Sequence, residues 1–318
     1  MQRRDFIRTA AAAAAMPCLA RAASKGFNLA GSTFAPPPPP APPPGEYHVF
    51  SKMFQPPVTK DVEELCDLMA AAGLNGVQWT VRPKGHVEPA RVKEDLPKVV
   101  AAAAKRGLKS TTICTAITSG DDLLSQTVLR VAADCGVKSF RTGYFFYDAK
   151  HETFRESIDR FKRSFASIAR FSSVLGIKAN YQNHSSWGPT IFGGVVWDLW
   201  ECIKDLDPKY MGVEYDLMHA HFETGESWPH GFELIAPWIG AIDLKDYWVE
   251  PNPKKPKTIK KRMCPAGEGI TPWAELRRLI GVAKVRAPYI LHFEHDFDKT
   301  DLLATVRRER EFFQNIFG

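Results

Sequence analysis

Short apolar runs alternate with longer segments of helical periodicity from residue 46 to the end of the chain. Within each run, apolar residues follow one another and end at a polar residue, as expected of strands buried on both faces. The segments between the runs repeat apolar positions every three or four residues, as an amphipathic helix does. The pattern therefore predicts strands and helices in strict alternation.

The predicted strands are Tyr47–Met53, Gly76–Val81, Lys109–Ala116, Ser139–Tyr144, Lys178–Asn183, Met211–Asp216, Ala241–Lys245 and Tyr289–Glu294. The predicted helices are Asp61–Ala72, Leu96–Lys105, Leu123–Ala133, Phe154–Leu175, Gly193–Leu206, Phe232–Ile239, Pro272–Val282 and Asp301–Phe313. Such an alternation favours an α/β fold, a single-domain (β/α)8 TIM barrel over residues 46–318. A doubly wound open sheet is the alternative, but no Gly-x-Gly-x-x-Gly segment follows the first predicted strand.

The first 45 residues carry signals of a different kind. Residues 1–22 combine the pair Arg3-Arg4, an alanine-rich stretch and the tripeptide Ala20-Arg21-Ala22, a pattern typical of a twin-arginine signal peptide. Residues 23–45 are rich in proline and predict an extended linker. We expect export to the periplasm by the twin-arginine route. We expect no membrane span, because no apolar run reaches the roughly 18 residues that one needs.

The net charge of +6 would suit a nucleic-acid partner, but its distribution argues against one. Arg3, Arg4, Arg8 and Arg21 belong to the predicted signal peptide, and six further basic residues cluster in residues 254–262. We interpret this basic segment either as a lid that attracts an acidic substrate or as a solvated loop, and favour the loop. The cysteines beyond residue 22 show neither metal-ligand nor redox spacing, so no disulfide framework is predicted.

Polar side chains gather where the last four predicted strands end. In a TIM barrel the active site lies at the C-terminal ends of the strands, so these side chains should meet. Carboxylates that converge there repel one another unless a cation neutralises them, and a divalent metal is the usual solution. The side chains concerned are Gln182, His184, Asp216, His219, Asp243, Lys245 and Glu294.

The strand ends resemble those of the sugar phosphate isomerase/epimerase family of xylose isomerase-like barrels. Asp216-Leu217-Met218-His219 matches the Asp-x-x-His motif of that family, and Lys245-Asp246 matches its Lys-Asp pair. Gly267-Glu268-Gly269 matches a Gly-Glu-Gly segment that follows strand seven, and Glu294 matches the acid of strand eight. The resemblance extends over essentially the whole predicted barrel.

The resemblance implies a metal site formed by Gln182, Asp216, Asp243 and Glu294. The chain departs from the family at two of these positions, since Gln182 replaces a Glu and Asp243 replaces a His. Amide and carboxylate oxygens are hard ligands, so Mn²⁺ or Mg²⁺ suits this set better than Zn²⁺. Epimerases of the family use two carboxylate bases at these positions. Because Gln182 cannot accept a proton, only Glu294 remains as such a base.

The resemblance also implies an enzyme that abstracts a proton next to the carbonyl of a free or oxidised sugar, through an enediolate. Its catalytic residues would be Glu294, His219 and Lys245. The carbohydrate would be held by side chains that follow the strand ends: Arg82, His86, Arg141, His184, Trp187 and Trp248. Homo-oligomer formation is left open.

Three other functions compete with this interpretation. A lyase that cleaves 3-keto-glycosides by β-elimination would use the same proton abstraction. A non-catalytic sugar-binding barrel belongs to a different class, and fold alone does not prove chemistry. A relative of endonuclease IV would need ligands for three zinc ions, but the third predicted strand offers only hydroxyl groups, so nucleic acid is not expected as a partner.

Overall fold

A computed structural model describes residues 41, 45–185 and 191–318. The predicted signal peptide and almost all of the predicted linker lie outside these residues, as does Trp187. In the described part of the chain, no helix has both the length and the apolarity needed to cross a bilayer.

Eight parallel strands close into a barrel, and two further strands form an antiparallel hairpin. The barrel strands are β1 (Tyr47–Phe50), β2 (Gly76–Val81), β3 (Thr112–Thr115), β4 (Ser139–Arg141), β5 (Lys178–Gln182), β6 (Met211–Asp216), β7 (Ile239–Leu244) and β10 (Tyr289–Leu291). The hairpin strands are β8 (Asp246–Pro251) and β9 (Ile259–Cys264). Pairing of Tyr47 with Tyr289 joins β1 to β10 and closes the barrel. The prediction of a (β/α)8 barrel is confirmed.

The helices pack around the outside of the barrel. Their bounds are α1 (Val62–Ala71), α2 (Val92–Ala104), α3 (Leu123–Asp134), α4 (Phe154–Leu175), α5 (Trp197–Ile203), α6 (Leu217–Thr224), α7 (Trp228–Ile235), α8 (Trp273–Ala283) and α9 (Leu302–Phe317). Local sequence explains where α4 begins and ends. Thr153 and Glu156 form a reciprocal capping box at its start, and Gly176 adopts a φ of 68° at its end.

The period-two pattern of the strands separates the apolar core from the polar interior of the barrel mouth. On β6 the ring of Tyr215 packs outward against Phe232 of α7, with 5.1 Å between ring centroids. Its neighbours Glu214 and Asp216 therefore point into the barrel, where each hydrogen-bonds to a side chain of another strand. The same alternation places carboxylates of several strands in one space.

Several observed elements are shorter than predicted. β1 stops at Phe50 because Ser51–Phe54 form a 3-10 turn, in which the Ser51 hydroxyl accepts a hydrogen bond from the Thr80 amide at 3.0 Å. β10 stops at Leu291, so Glu294 lies in the loop after the strand. The third strand and the helix after strand five are also shortened, and α7 ends before residue 239, which instead begins β7.

The prediction of a solvated loop for the basic segment is wrong over residues 259–262, which belong to β9. Val249 of β8 pairs with Lys261, and Tyr247 pairs with Met263. Because side chains alternate along a strand, Lys261 and Met263 share one face of the hairpin, and Lys260 lies on the other. The hairpin rises from the end of β7 beside the barrel mouth.

Glu309 of α9 anchors the segment that follows the hairpin. Both of its carboxylate oxygens accept a hydrogen bond from the Ala266 amide, at 3.2 and 3.0 Å. Burial raises the pKa of Glu309 to about 7. Glu309 therefore ionises at a lower pH in the unfolded chain than in the folded protein. Its contribution to stability is largest at low pH, where it is protonated in both states, and is lost as the pH rises toward 7.

Between about pH 4.5 and 7, the free energy of unfolding should accordingly fall by about 2–3 kcal/mol through this one group. Glu309→Gln, which keeps an acceptor for Ala266, should remove that part of the pH dependence. Urea unfolding at pH 5, 6, 7 and 8 measures it, with the exposed residue Glu311→Gln on the same helix as control. Equal pH dependence in Glu309→Gln and the unaltered protein would contradict the prediction.

Candidate active site

A cavity of about 330 Å³ opens at the C-terminal ends of the barrel strands. Its lining comes from the ends of β1, β2, β4 and β5, from the loop after β10 and from the hairpin. The lining residues are Phe50, Lys52, Met53, Arg82, Arg141, Tyr144, Gln182, His184, Met263 and Glu294. A larger groove lies outside the barrel between α4 and α5, and none of the predicted site residues that the structure describes lines it.

Gln182 joins the carboxylates of two neighbouring strands on the cavity floor. Its side-chain nitrogen donates to Asp216 Oδ2 at 3.0 Å and to Asp243 Oδ2 at 2.5 Å. Its side-chain oxygen accepts a hydrogen bond from the Tyr144 hydroxyl. A glutamate at this position would place a third carboxylate beside Asp216 and Asp243. The amide of Gln182 instead donates a hydrogen bond to each of these two carboxylates and so stabilises them.

Lys245 is the cation of this floor. Its ammonium lies 2.9 Å from Asp216 Oδ2, 3.2 Å from Glu294 Oε2 and 2.9 Å from His219 Nε2. Burial alone would lower the pKa of Lys245, but the Asp216 and Glu294 carboxylates outweigh burial and raise it. The three hydrogens of the ammonium therefore have three partners within the protein.

His219 is neutral in this setting. Burial and the Lys245 charge hold the pKa of its imidazole well below the usual range. Nε2 accepts from Lys245, so Nδ1 carries the proton and donates to the Ser185 hydroxyl at 2.7 Å. The Asp-x-x-His spacing has a local cause, since Asp216 Oδ1 caps α6 by accepting from the His219 amide at 3.2 Å.

Glu294 is an ionised carboxylate that faces the cavity. Its side chain keeps 23% exposure, whereas that of Asp216 has none. Burial alone would raise the pKa of Glu294, but Lys245 and His292 hold it well below its usual range. Lys52 adds a weaker contact, with its ammonium 3.8 Å from Glu294 Oε1.

A second group of donors lies deeper, where Glu214, Asp243 and His292 bring their ligand atoms within 4.8 Å of one another. Asp243 Oδ1 and His292 Nε2 are 3.2 Å apart, and neither atom has a hydrogen-bond partner among the described residues. Burial and the neighbouring Asp243 raise the pKa of Glu214 to about 8. Buried carboxylate and imidazole atoms without hydrogen-bond partners fit a divalent metal ion.

Residues 66–316 match the family model described as the xylose isomerase-like TIM barrel. The chain belongs to that family. No curated protein matches the sequence of this xylose isomerase-like barrel.

Solved structures share the fold of this xylose isomerase-like barrel at low sequence identity. A D-psicose 3-epimerase from Clostridium cellulolyticum H10 aligns with a TM-score of 0.64 and 10% identity, over 86% of this chain and 99% of that one. A 3-keto-D-glucoside 4-epimerase from E. coli aligns with a TM-score of 0.60 and 12% identity, over 83% and 99%. A xylose isomerase domain protein from Alicyclobacillus acidocaldarius aligns with a TM-score of 0.63 and 18% identity, over 86% and 98%.

The xylose isomerase-like barrel brings three of the four predicted metal ligands into direct contact. Gln182, Asp216 and Asp243 meet as described, but Glu294 is joined to them through the ammonium of Lys245. Of the four, only Asp243 belongs to the deeper group of donors. The predicted ligand set and the group of Glu214, Asp243 and His292 therefore share Asp243. Which of these residues bind a metal stays a prediction.

From the sequence, the period-two rule predicts Glu214 as a second acid or as a partner of Arg141, with which it does pair at 3.4 Å, but neither Glu214 nor His292 was predicted as a metal ligand. Glu214 stands two residues before Asp216 and shares its face of β6. His292 stands two residues before Glu294, and Ile290, two residues before His292, pairs with Asp243 in the ladder of β10 and β7. Tyr144 was likewise missed, because a tyrosine at the end of an apolar strand reads as a core residue.

The predicted sugar-binding residues divide into two groups. Arg82, Arg141 and His184 line the cavity. Trp248 is 41% exposed on the face of the hairpin opposite Met263, with the Arg262 guanidinium 5.8 Å from its ring. Trp187 lies outside the described residues.

His86, also predicted to bind sugar, does not line the cavity. Its Nδ1 lies 3.1 Å from the Ser51 hydroxyl and 3.0 Å from that of Thr80, and its ring contacts the edge of Trp79. Burial lowers the pKa of His86 to about 4, so the ring is neutral. The side chain faces a groove near α1 and α2. These contacts connect the 3-10 turn after β1 to the loop after β2.

Asp246, the second residue of the Lys-Asp pair, fixes the Gly-Glu-Gly segment. Its carboxylate accepts hydrogen bonds from the amides of Gly267 at 2.9 Å, Gly269 at 3.2 Å and Thr271 at 3.2 Å. A Cβ at Gly269 would lie 2.2 Å from Asp246 Oδ1, so this position requires glycine. The two motifs are therefore parts of one structural unit at the base of the hairpin.

Proposed function

We propose that this barrel is a sugar isomerase or epimerase that abstracts a proton next to the carbonyl of a free or oxidised sugar and forms an enediolate. The observation that carries the proposal is the ionised Glu294 carboxylate, which faces the cavity beside the buried Lys245 ammonium. The similarity of its fold to a D-psicose 3-epimerase and a 3-keto-D-glucoside 4-epimerase supports the same class of substrate.

Glu294 acts as the general base in this proposal. A base must be unprotonated at working pH and must reach the substrate, and Glu294 meets both conditions. Lys245 has three protein partners already, so it serves to position Glu294 and His219 and to keep Glu294 ionised. Arg82 is available to the sugar oxygens from the cavity wall, and Arg141 lines the same wall while it pairs with Glu214 at 3.4 Å.

A divalent metal would be held by Glu214, Asp243 and His292. Gln182 contacts Asp243 directly and also hydrogen-bonds to Asp216. When bound, such an ion polarises the carbonyl of a substrate and makes the adjacent proton easier to remove. Carboxylate oxygens favour Mn²⁺ or Mg²⁺, which are the ions we propose.

β-Elimination of a 3-keto-glycoside is a second candidate, favoured by the bonding of Gln182. Both polar atoms of that side chain are engaged by Tyr144, Asp216 and Asp243, and an amide accepts no proton. Elimination needs one base to remove the proton, whereas epimerisation by direct proton transfer needs a base on one face of the carbon and a proton donor on the other. We also propose, from residues 1–22, that the enzyme works in the periplasm on carbohydrates.

Deuterium exchange tests the proposal. The purified protein is incubated in D₂O with added Mn²⁺ and a panel of free sugars and 3-keto-glycosides, and the C–H signals are followed by NMR. We expect exchange at the carbon next to the carbonyl of at least one compound. Release of the aglycone would identify the lyase. Sugar binding without exchange on any compound would instead indicate a non-catalytic barrel and overturn the proposal.

A further inference from the structure

Lys261 of β9 places an ammonium group without a hydrogen-bond partner beside the cavity. It shares a face of the hairpin with Met263, which lines the cavity. The Nζ atom is buried and makes no hydrogen bond to any described residue. Its close contact is the ring of Phe222, whose centroid is 4.9 Å away. An enclosed ammonium of this kind is costly unless an anion joins it.

The Lys261 ammonium shares its electrostatic surroundings with the charged groups on the floor of the site. Burial and the charge of Lys245 lower the pKa of Lys261 to about 8, against the opposing influence of Glu223, Asp216 and Glu294. Its place on the Met263 face of the hairpin directs the Lys261 side chain to the side of the cavity.

The cavity wall adds further positive charge. Three cations line it, but Arg141 pairs with Glu214 at 3.4 Å and Lys52 lies 3.8 Å from Glu294, so Arg82 is the one that faces no carboxylate among the described residues. The guanidinium of Arg82 lies 5.7 Å from the centroid of the Phe50 ring and forms no ion pair with any described residue. An anionic ligand would balance the charges of Lys261 and Arg82, neither of which pairs with a carboxylate of the described residues.

We propose that the substrate carries an anionic group, a carboxylate or a phosphate, which binds to the ammonium of Lys261. Within the proposed class of free or oxidised sugars, the preferred substrate would then be a sugar acid, with a sugar phosphate as the other anion to test, and uncharged sugars of the same skeleton would bind more weakly. This inference rests on the proposed function for the reaction itself, but the binding of the anion can be measured without turnover.

The test compares Lys261→Met with Lys260→Met. The two lysines are neighbours on β9, but Lys260 points to the opposite face and pairs with Glu250 at 2.7 Å. Calorimetry measures the affinity for hexuronates, hexose phosphates and the matching neutral hexoses, and deuterium exchange measures KM and kcat. We expect one anionic class to bind at least about 10-fold more tightly than the neutral sugars. Lys261→Met should weaken that binding about 10- to 100-fold with little change in kcat, and Lys260→Met should leave it unchanged.

Lys261→Arg keeps the charge and should retain most of the preference for anions, which separates loss of charge from damage to the hairpin. Two results would overturn the proposal: equal affinity for neutral and anionic sugars in the unaltered protein, or unchanged affinity for the anion in Lys261→Met. Tight anion binding that depends on Lys261, without exchange on any sugar, would support this inference and reject the proposed reaction. Hexuronates and hexose phosphates, tested side by side, show which anion the site takes.

Discussion

Glu294→Gln is expected to slow proton exchange about 1,000-fold while sugar binding is retained. The amide has nearly the shape of the carboxylate but cannot accept the proton of the sugar. Lys245 keeps its contacts with Asp216 and His219, so the floor of the site should stay in place. Deuterium exchange under saturating substrate measures the rate, and calorimetry measures the affinity.

Asp296→Asn is the matched control for this substitution. Asp296 lies two residues further along the same loop, is exposed and does not line the cavity. We expect its exchange rate to equal that of the unaltered protein. A Glu294→Gln rate within about 10-fold of the unaltered protein would show that another group removes the proton.

Asp243→Asn is expected to abolish stabilisation by a divalent metal and to weaken the fold itself. Asp243 is buried, pairs with His292 at 3.2 Å and accepts from Gln182 at 2.5 Å. Neutralising it removes the carboxylate nearest to His292 and leaves only the longer contact with Glu294 at 3.7 Å, and breaking a buried pair in this way costs about 3 kcal/mol. The melting temperature should fall in the metal-free protein, and added Mn²⁺ should raise it only in the unaltered one.

Thermal unfolding after chelation, and again after addition of Mn²⁺, measures both effects. Asp205→Asn, an exposed substitution away from the barrel mouth, serves as control and should behave as the unaltered protein does. Uptake of metal by Asp243→Asn with unchanged affinity would exclude Asp243 as a ligand. The predicted ligand Glu294 can be examined in the same way, because Glu294→Gln should still bind the ion if the deeper group of donors holds it.

Much of the barrel could be predicted because its periodic signals are local. Buried parallel strands produce continuous apolar runs, and capping residues such as Thr153 and Gly176 stand at fixed offsets from their helix ends. The strand ends then identify the candidate site, because closure of the barrel brings β5, β6, β7 and β10 together. Asp216 and His219 were found in this way.

The hairpin could not be predicted by the same reasoning. A two-stranded ribbon over a barrel mouth has no continuous apolar face, and Lys260 and Lys261 place charges on both of its faces. Consecutive lysines therefore suggest a solvated loop. The sequence also could not show which of the two overlapping groups of donors would bind a metal. That depends on how Lys245 and Gln182 fill the space between carboxylates of different strands.

The hairpin begins and ends at the same place, since Asp246 and Cys264 face each other as its first and last pair. Its residues can therefore be lengthened, shortened or exchanged without shifting the register of any barrel strand. Asp246 and the glycines that it binds would stay as the junction. A change of this one insert would thus alter the wall of the cavity while the proposed base Glu294 and its partners below it stay in place.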